Sequence, residues 1–189
     1  MIRPGESVLL DTTAIIEAHR QGVWEPLVNG FRLATVEKCI EEVDTGNLLA
    51  GERREIDTGR LRREMMVYQV DDTTIAEAVL SSEGKLQILH AGEKELLAYA
   101  ISVSGILRIS SQDRACVRVG AKMGLLDRFV SLEEMAEAVG RKRLPLPWQY
   151  TKKWLSEIRT ACRLEELRAA RRSVAERLCG VNRDVLDPA

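Results

Sequence analysis

The 189-residue chain has little of what metal–thiolate and nucleophile chemistry needs. It holds four scattered cysteines (Cys39, Cys116, Cys162, Cys179), no CxxC, and only two histidines, His19 and His90. That argues against zinc and leads to the expectation of reduced thiols in a cytoplasmic protein. Long apolar runs are also missing. The longest, Leu96 to Leu107, is too short to span a bilayer and is broken by Ser102, Ser104 and Gly105. The opening Met-Ile-Arg-Pro-Gly-Glu-Ser has no apolar core of a secretory signal, so no membrane partner is expected. There is no Gly-rich phosphate loop, internal repeat or low-complexity segment. What remains is 45% apolar and 30% charged, the balance of an ordinary globular chain of one domain with an appendage.

The net charge of −1 conceals an uneven distribution. Residues 1–140 hold 16 Lys and Arg against 23 Asp and Glu, whereas residues 141–189 hold 12 against 6. An acidic body and a basic tail suggest two different tasks.

The apolar run Ser7–Leu10 ends at Asp11 and reads as a buried strand feeding a helix, with Thr12 or Thr13 available as its cap. A second strand is expected at Phe31–Ala34, followed by a helix over Val36–Val43. Residues 44–64, polar and rich in arginine (Arg53, Arg54, Arg60, Arg62, Arg63), read as an irregular insertion. A third strand at Met65–Val70 follows, then a helix opened by Thr74-x-x-Glu77 in capping-box spacing and running to about Leu80. Next come a helix over Gly92–Val103, a strand at Ile106–Ser110, and a helix near Arg114–Met123. Ser131-x-x-Glu134 is a second capping box, opening the last helix of the body. Strands alternating with helices, several of the strands continuously apolar, predict an α/β/α sandwich around a central parallel sheet. Arg141-Lys-Arg-Leu-Pro-Leu-Pro starts a linker over 141–148. Residues 149–189 form a basic helical extension, with Gln149 to Cys179 as one long helix or a helix pair.

Ligands of parallel α/β sheets bind at the carboxyl ends of the strands. Asp11 ends the first strand and Asp113 follows the strand at 106–110. Taken singly, each also reads as a helix cap. On the helix over 93–103, Glu93 falls on the apolar face of Leu96, Leu97 and Ala100, whereas Glu95 points away. A first-turn acid complements the helix dipole, but that does not explain its choice of the core face. On the helix over 36–43, Glu42 borders the apolar face and Glu41 is solvated. Asp11, Glu42, Glu93 and Asp113 thus converge at one sheet edge with no basic residue obviously placed to neutralise them. Crowded carboxylates of this kind select a hard divalent cation, Mg²⁺ or Mn²⁺, which activates water and stabilises a phosphoryl transition state.

Val8-Leu-Leu-Asp11-Thr-Thr13, Thr35-Val-Glu-Lys-Cys-Ile-Glu-Glu42-Val43, Gly92-Glu93-Lys-Glu-Leu-Leu-Ala-Tyr-Ala100 and Ser110-Ser-Gln-Asp113, in that order, resemble a PIN domain over residues 1–140. Leu125-Leu-Asp-Arg-Phe-Val-Ser-Leu-Glu-Glu resembles the final strand and helix of such domains. The resemblance implies a Mg²⁺- or Mn²⁺-dependent ribonuclease, often the toxin of a toxin–antitoxin pair. Asp11, Glu42, Glu93 and Asp113 would be its catalytic, metal-binding acids, and Thr13 its hydroxyl residue beside the first acid. Ser111-Gln-Asp113 departs from the commoner Thr-x-Asp, with Ser111 as the supporting hydroxyl. The arginine-rich insertion and the tail are not family features.

Other chemistries fit less well. A haloacid-dehalogenase-like phosphatase needs a second Asp where Thr13 stands. Asp72 with Glu83-Gly-Lys85 would suit a restriction-type nuclease, but Glu83-Gly84 reads as a turn. His19 and His90 have no nucleophile motif beside them and read as structural or supporting. The competing reading is an inactive PIN-like module that binds RNA or protein through its basic extension. In that extension Lys152 and Lys153 beside Trp148, Tyr150 and Trp154 either contact RNA or dock the tail on the body or on a second copy. The candidate partners are therefore an RNA substrate, contacted also by Arg53, Arg54, Arg60, Arg62 and Arg63, an antitoxin protein, and a homodimeric copy.

Overall fold

The computed structural model describes residues 2–45, 56–105 and 107–181, with the side chains of the last helix followed as far as Val174. Four short strands, β1 (Ser7–Leu10), β2 (Arg32–Val36), β3 (Met66–Tyr68) and β4 (Arg108–Ser110), pair in parallel in the order β3-β2-β1-β4. β1 is hydrogen-bonded on both sides, Leu9 lying opposite Ala34 of β2 and Ile109 of β4. Successive side chains of a strand point to opposite faces. Val8 and Leu10 therefore enter one core and Leu9 the other, and all three are essentially inaccessible.

The connections fix which helices cover which face. From β1, helices α1 (Thr12–Arg20) and α2 (Trp24–Gly30) lead to β2, and α3 (Glu37–Thr45) and α4 (Thr58–Glu64) lead on to β3. Helices α5 (Asp72–Ser81) and α6 (Ala91–Ser102) then return across the sheet to β4, on the far side of β1. Parallel crossovers are right-handed, so reversing the direction of travel moves the connection to the opposite face. Accordingly α1, α2 and α4 pack with Val8, Leu10 and Leu33, while α5 and α6 pack with Leu9, Ala34 and Ile109. α3 straddles the boundary, with Cys39 in one core and Ile40 and Val43 in the other. α7 (Arg114–Lys122) follows β4, then α8 (Leu132–Ala138) and α9 (Lys152–Val181). Gly120 of α7 sits against buried Phe129: a Cβ there would lie 2.6 Å from the ring, so no other residue fits without displacing it.

This is the expected three-layer α/β architecture with a long C-terminal helix, but several local expectations change. The cap of α1 is Asp11, which accepts from the Thr12 N–H, rather than either threonine. α5 starts at Asp72 because Asp71 accepts from the Thr74 N–H, and a carboxylate three residues upstream outcompetes the capping box expected at Thr74. The Ser131–Glu134 capping box forms as expected. Of the insertion over 44–64, residues 58–64 are helical, capped by Asp57, and Leu61 is fully buried. In place of the final strand there is a 3₁₀ turn, Leu126–Arg128, and one isolated bridge from Phe129 to Ile109.

The extension is a single helix preceded by a 3₁₀ turn at Trp148–Tyr150. Trp154, Leu155, Ile158 and Cys162 are buried, yet Leu164, Leu167 and Val174 are exposed. The helical phase explains this. Leu167 lies five residues beyond Cys162, which rotates it about 140° from the buried stripe at 100° per residue. One helix face cannot carry both sets into the same core.

Candidate functional site

Asp11 and Asp113 leave the carboxyl ends of β1 and β4, the neighbouring strands at which the chain changes direction across the sheet. In open α/β sheets this crevice is where ligands bind. The backbone holds the pair together, since the Asp11 N–H donates to Ser110 O at 3.0 Å. Each acid also starts a helix: Asp11 Oδ1 accepts from the Thr12 N–H and Asp113 Oδ1 from the Cys116 N–H, both at 2.8 Å. Asp11 is buried and Asp113 half-buried.

Glu42, in the last turns of α3, reaches this edge from the third side. Its Oε2 accepts from Thr12 Oγ1 at 2.7 Å and its Oε1 from the Gly92 N–H at 3.0 Å. Gly92 is what lets α6 come so close, because a Cβ there would stand 2.7 Å from Glu42 Oε2. Glu93 is 7% accessible on the core side of α6, and its Oε2 accepts the His90 N–H at 3.3 Å. Glu41 is exposed and paired with Lys38, as expected of a solvated charge. Thr13 Oγ1 donates to Asp11 Oδ2 at 2.8 Å and Ser111 Oγ donates to the same oxygen at 3.3 Å.

The electrostatics tie the four acids together. Burial pushes the Asp11 carboxyl up to about 6, opposed by the hydrogen bonds from Thr13 and Thr12 and reinforced by the Glu42 charge. Glu93 is pushed up to about 8, first by burial and then by the charges of Asp11, Asp113 and Glu42. Among the described residues no ion pair involves any of the four. A partner cation would reverse these shifts. Four oxygen donors in one crevice, with the Asp11 and Glu93 carboxyls raised, suit a hard divalent ion such as Mg²⁺ or Mn²⁺. In their present rotamers, among the described residues, no three acidic, Cys or His side chains close around one point. Glu42 is turned onto Thr12 and Gly92, and Asp113 onto its cap bond.

Four residues around the acids were not anticipated from sequence. Thr12 bridges Asp11 and Glu42, Gly92 gives Glu42 its place, and Gln112 Oε1 lies 3.2 Å from Thr13 Oγ1, whose proton goes to Asp11. Cys39, whose thiol burial pushes up, lies with its Sγ 4.0 Å from Asp11 Oδ1. A glycine one position before a core-facing acid was a legible signal of close approach; the others depend on the meeting of α1 and α3. His90 caps α6, and His19 stacks on Trp24 with centroids 4.5 Å apart.

The basic candidates are distributed differently. Arg53 and Arg54 lie outside the described residues. Arg60 pairs with Glu25 and Glu64, Arg62 with Glu37, and Arg63 with Asp57 at 3.7 Å. Lys152 is bound to Glu137, and Lys153 sits 5.3 Å over the half-exposed Trp148 ring. Tyr150 and Trp154 are docking anchors in the core, and the Tyr150 hydroxyl donates to Thr13 O at 3.5 Å, beside the acids. Cys39, Cys116 and Cys162 are free and buried. Among the described residues no helix is long and apolar enough to cross a membrane. Compared with protein-family models and with curated proteins, the chain matches none.

Proposed function

We propose that the protein is a Mg²⁺- or Mn²⁺-dependent ribonuclease hydrolysing RNA phosphodiesters at the crevice of Asp11, Glu42, Glu93 and Asp113. The observation that carries this reading is Glu93: a carboxyl raised first by burial and then by the charges of three neighbouring acids, with no cation paired to any of them among the described residues. Strongly perturbed, unneutralised carboxylates at a sheet switch point mark functional sites more than structural ones. Asp11, Glu42, Glu93 and Asp113 would hold the ion through their oxygens. When bound, the ion supplies charge stabilisation for the phosphoryl transition state and makes water a stronger acid. Thr13 and Ser111 hold Asp11 Oδ2 in place, and Thr12 and Gly92 hold Glu42.

The four motifs resemble the PIN family in order and residue type, which supports the same reading and extends it to a toxin acting against RNA in the cytoplasm with an antitoxin partner. EDTA-sensitive cleavage of a broad panel of single-stranded RNAs, with Mn²⁺ or Mg²⁺ restored, is the test. A panel left intact would favour the inactive binding module. That second reading draws on the structural tasks the acids also perform: Asp11 and Asp113 cap helices, and Glu42 joins α1 to α6.

A further inference from the structure

Between α7 and the outer half of α9 runs an open groove of about 1050 Å³. Its walls carry Lys85, Arg118, Lys122, Arg168, Arg171 and Arg172. Against these six bases stand two lining acids, Glu165 and Glu166; Arg118 is paired with Glu165, and Lys85 with Glu83 at the rim, so four bases remain without an ion pair among the described residues. None of Lys122, Arg168, Arg171 and Arg172 forms an ion pair among the described residues. The groove follows from the sequence of α9. The stripe that buries Trp154, Leu155, Ile158 and Cys162 continues in the same helical phase as Glu165, Ala169 and Arg172. Its apolar character stops at Cys162, so the helix leaves the body instead of closing on it. Small residues on both walls, Ala121 and Ala169, keep the space between them open.

We infer that this groove binds the phosphate backbone of single-stranded RNA and leads it toward the acidic crevice. The inference rests on the ribonuclease reading and deepens it by assigning a substrate track. Arg118 and Lys122 lie on the helix that Asp113 caps, about 7.5 and 13.5 Å along its axis from Asp113 at 1.5 Å per residue. Residues 1–140 are net acidic and repel a polyanion, so a strand reaching the crevice needs a positive strip to follow. Arginines suit this, since a guanidinium forks onto phosphate oxygens. The groove does not include Lys152 or Arg60, which are already neutralised.

The test is the anisotropy of a labelled single-stranded RNA with full-length protein in EDTA, across a potassium chloride series. The K122Q/R168Q/R172Q variant should bind about tenfold or more weakly, with a salt slope shallower by about 2, from ~0.7 per lost phosphate contact on a single strand. The R141Q/K142Q/R143Q variant removes as many exposed bases outside the groove and should bind like wild type. Equal weakening by both variants, or none by the first, overturns the inference. So does a first variant that changes only self-association in sedimentation, which would give the groove to a second copy. Wild type that binds RNA but never cleaves it with Mn²⁺ removes the ribonuclease reading and leaves the groove standing.

Discussion

Thr12 Oγ1 donates to Glu42 Oε2 at 2.7 Å, joining the first helix to the third across thirty positions of sequence at the edge where the sheet's acids meet. The threonine is buried, and its own N–H is already given to Asp11. Thr12→Val keeps the shape and removes the donor. A hydrogen bond to a charged group is worth about 1.5–3 kcal/mol, so a melting temperature lower by several degrees is expected, with cleavage reduced. Thr12→Ser should keep both. Equal melting curves for the valine and serine variants would show that the bond contributes nothing.

Asp113 caps α7 and contributes charge to the acid cluster, and two substitutions separate these roles. Asparagine caps about as well as aspartate, so Asp113→Asn should leave the metal-free protein as stable or slightly more stable while abolishing cleavage. Asp113→Ala loses the cap as well and should cost about 1 kcal/mol. Mn²⁺ should raise the melting temperature of wild type more than that of either variant, because a ligand of the folded state alone stabilises it. An active Asp113→Asn protein would take this residue out of the chemistry.

The raised carboxyls give the metal-free protein an unusual pH profile. Glu93 binds its proton more tightly folded, near pH 8, than unfolded, near 4.5. Between those values the folded state holds more protons than the unfolded one, so stability falls as pH rises through the window. Its contribution is complete below about 4.5 and gone above about 8. Asp11 acts in the same sense over the narrower range up to about 6. Urea titrations in EDTA at several pH values read this directly, and Glu93→Gln should flatten the decline. A wild-type stability that climbs from pH 5 to 8 would contradict the placement of Glu93 among the acids.

The aromatic residues of the extension divide by burial. Trp154 is 5% accessible within the core and Trp148 is 47% accessible. Trp154→Ala should cost about 3–5 kcal/mol and free α9 from the body, whereas Trp148→Ala should stay within about 0.5 kcal/mol. Comparable losses at both positions would mean that the exposed turn residue anchors the extension as much as the buried helix residue, against the burial difference.

The linear sequence determined the alternation of strands and helices, because continuous apolar runs such as Val8-Leu9-Leu10 and helical stripes such as Val36, Cys39, Ile40 and Val43 are one-dimensional records of burial. It also singled out Glu93, since an acid on an apolar helical face conflicts with its surroundings whatever the fold. Its capping box at Thr74–Glu77 was overturned: Asp71 accepts the Thr74 N–H and starts the helix at Asp72. The fates of the basic residues were open, because charge on a chain says nothing of which carboxylate lies across from it. Arg60 meets Glu25, and Arg62 meets Glu37, only once α4 packs beside α2 and α3. The same holds for Thr12 with Glu42, and for a groove that exists only between two helices. Local propensity and periodicity act within a few residues of chain, whereas hydrogen bonds, ion pairs and clefts depend on distances that only the completed packing of layers sets.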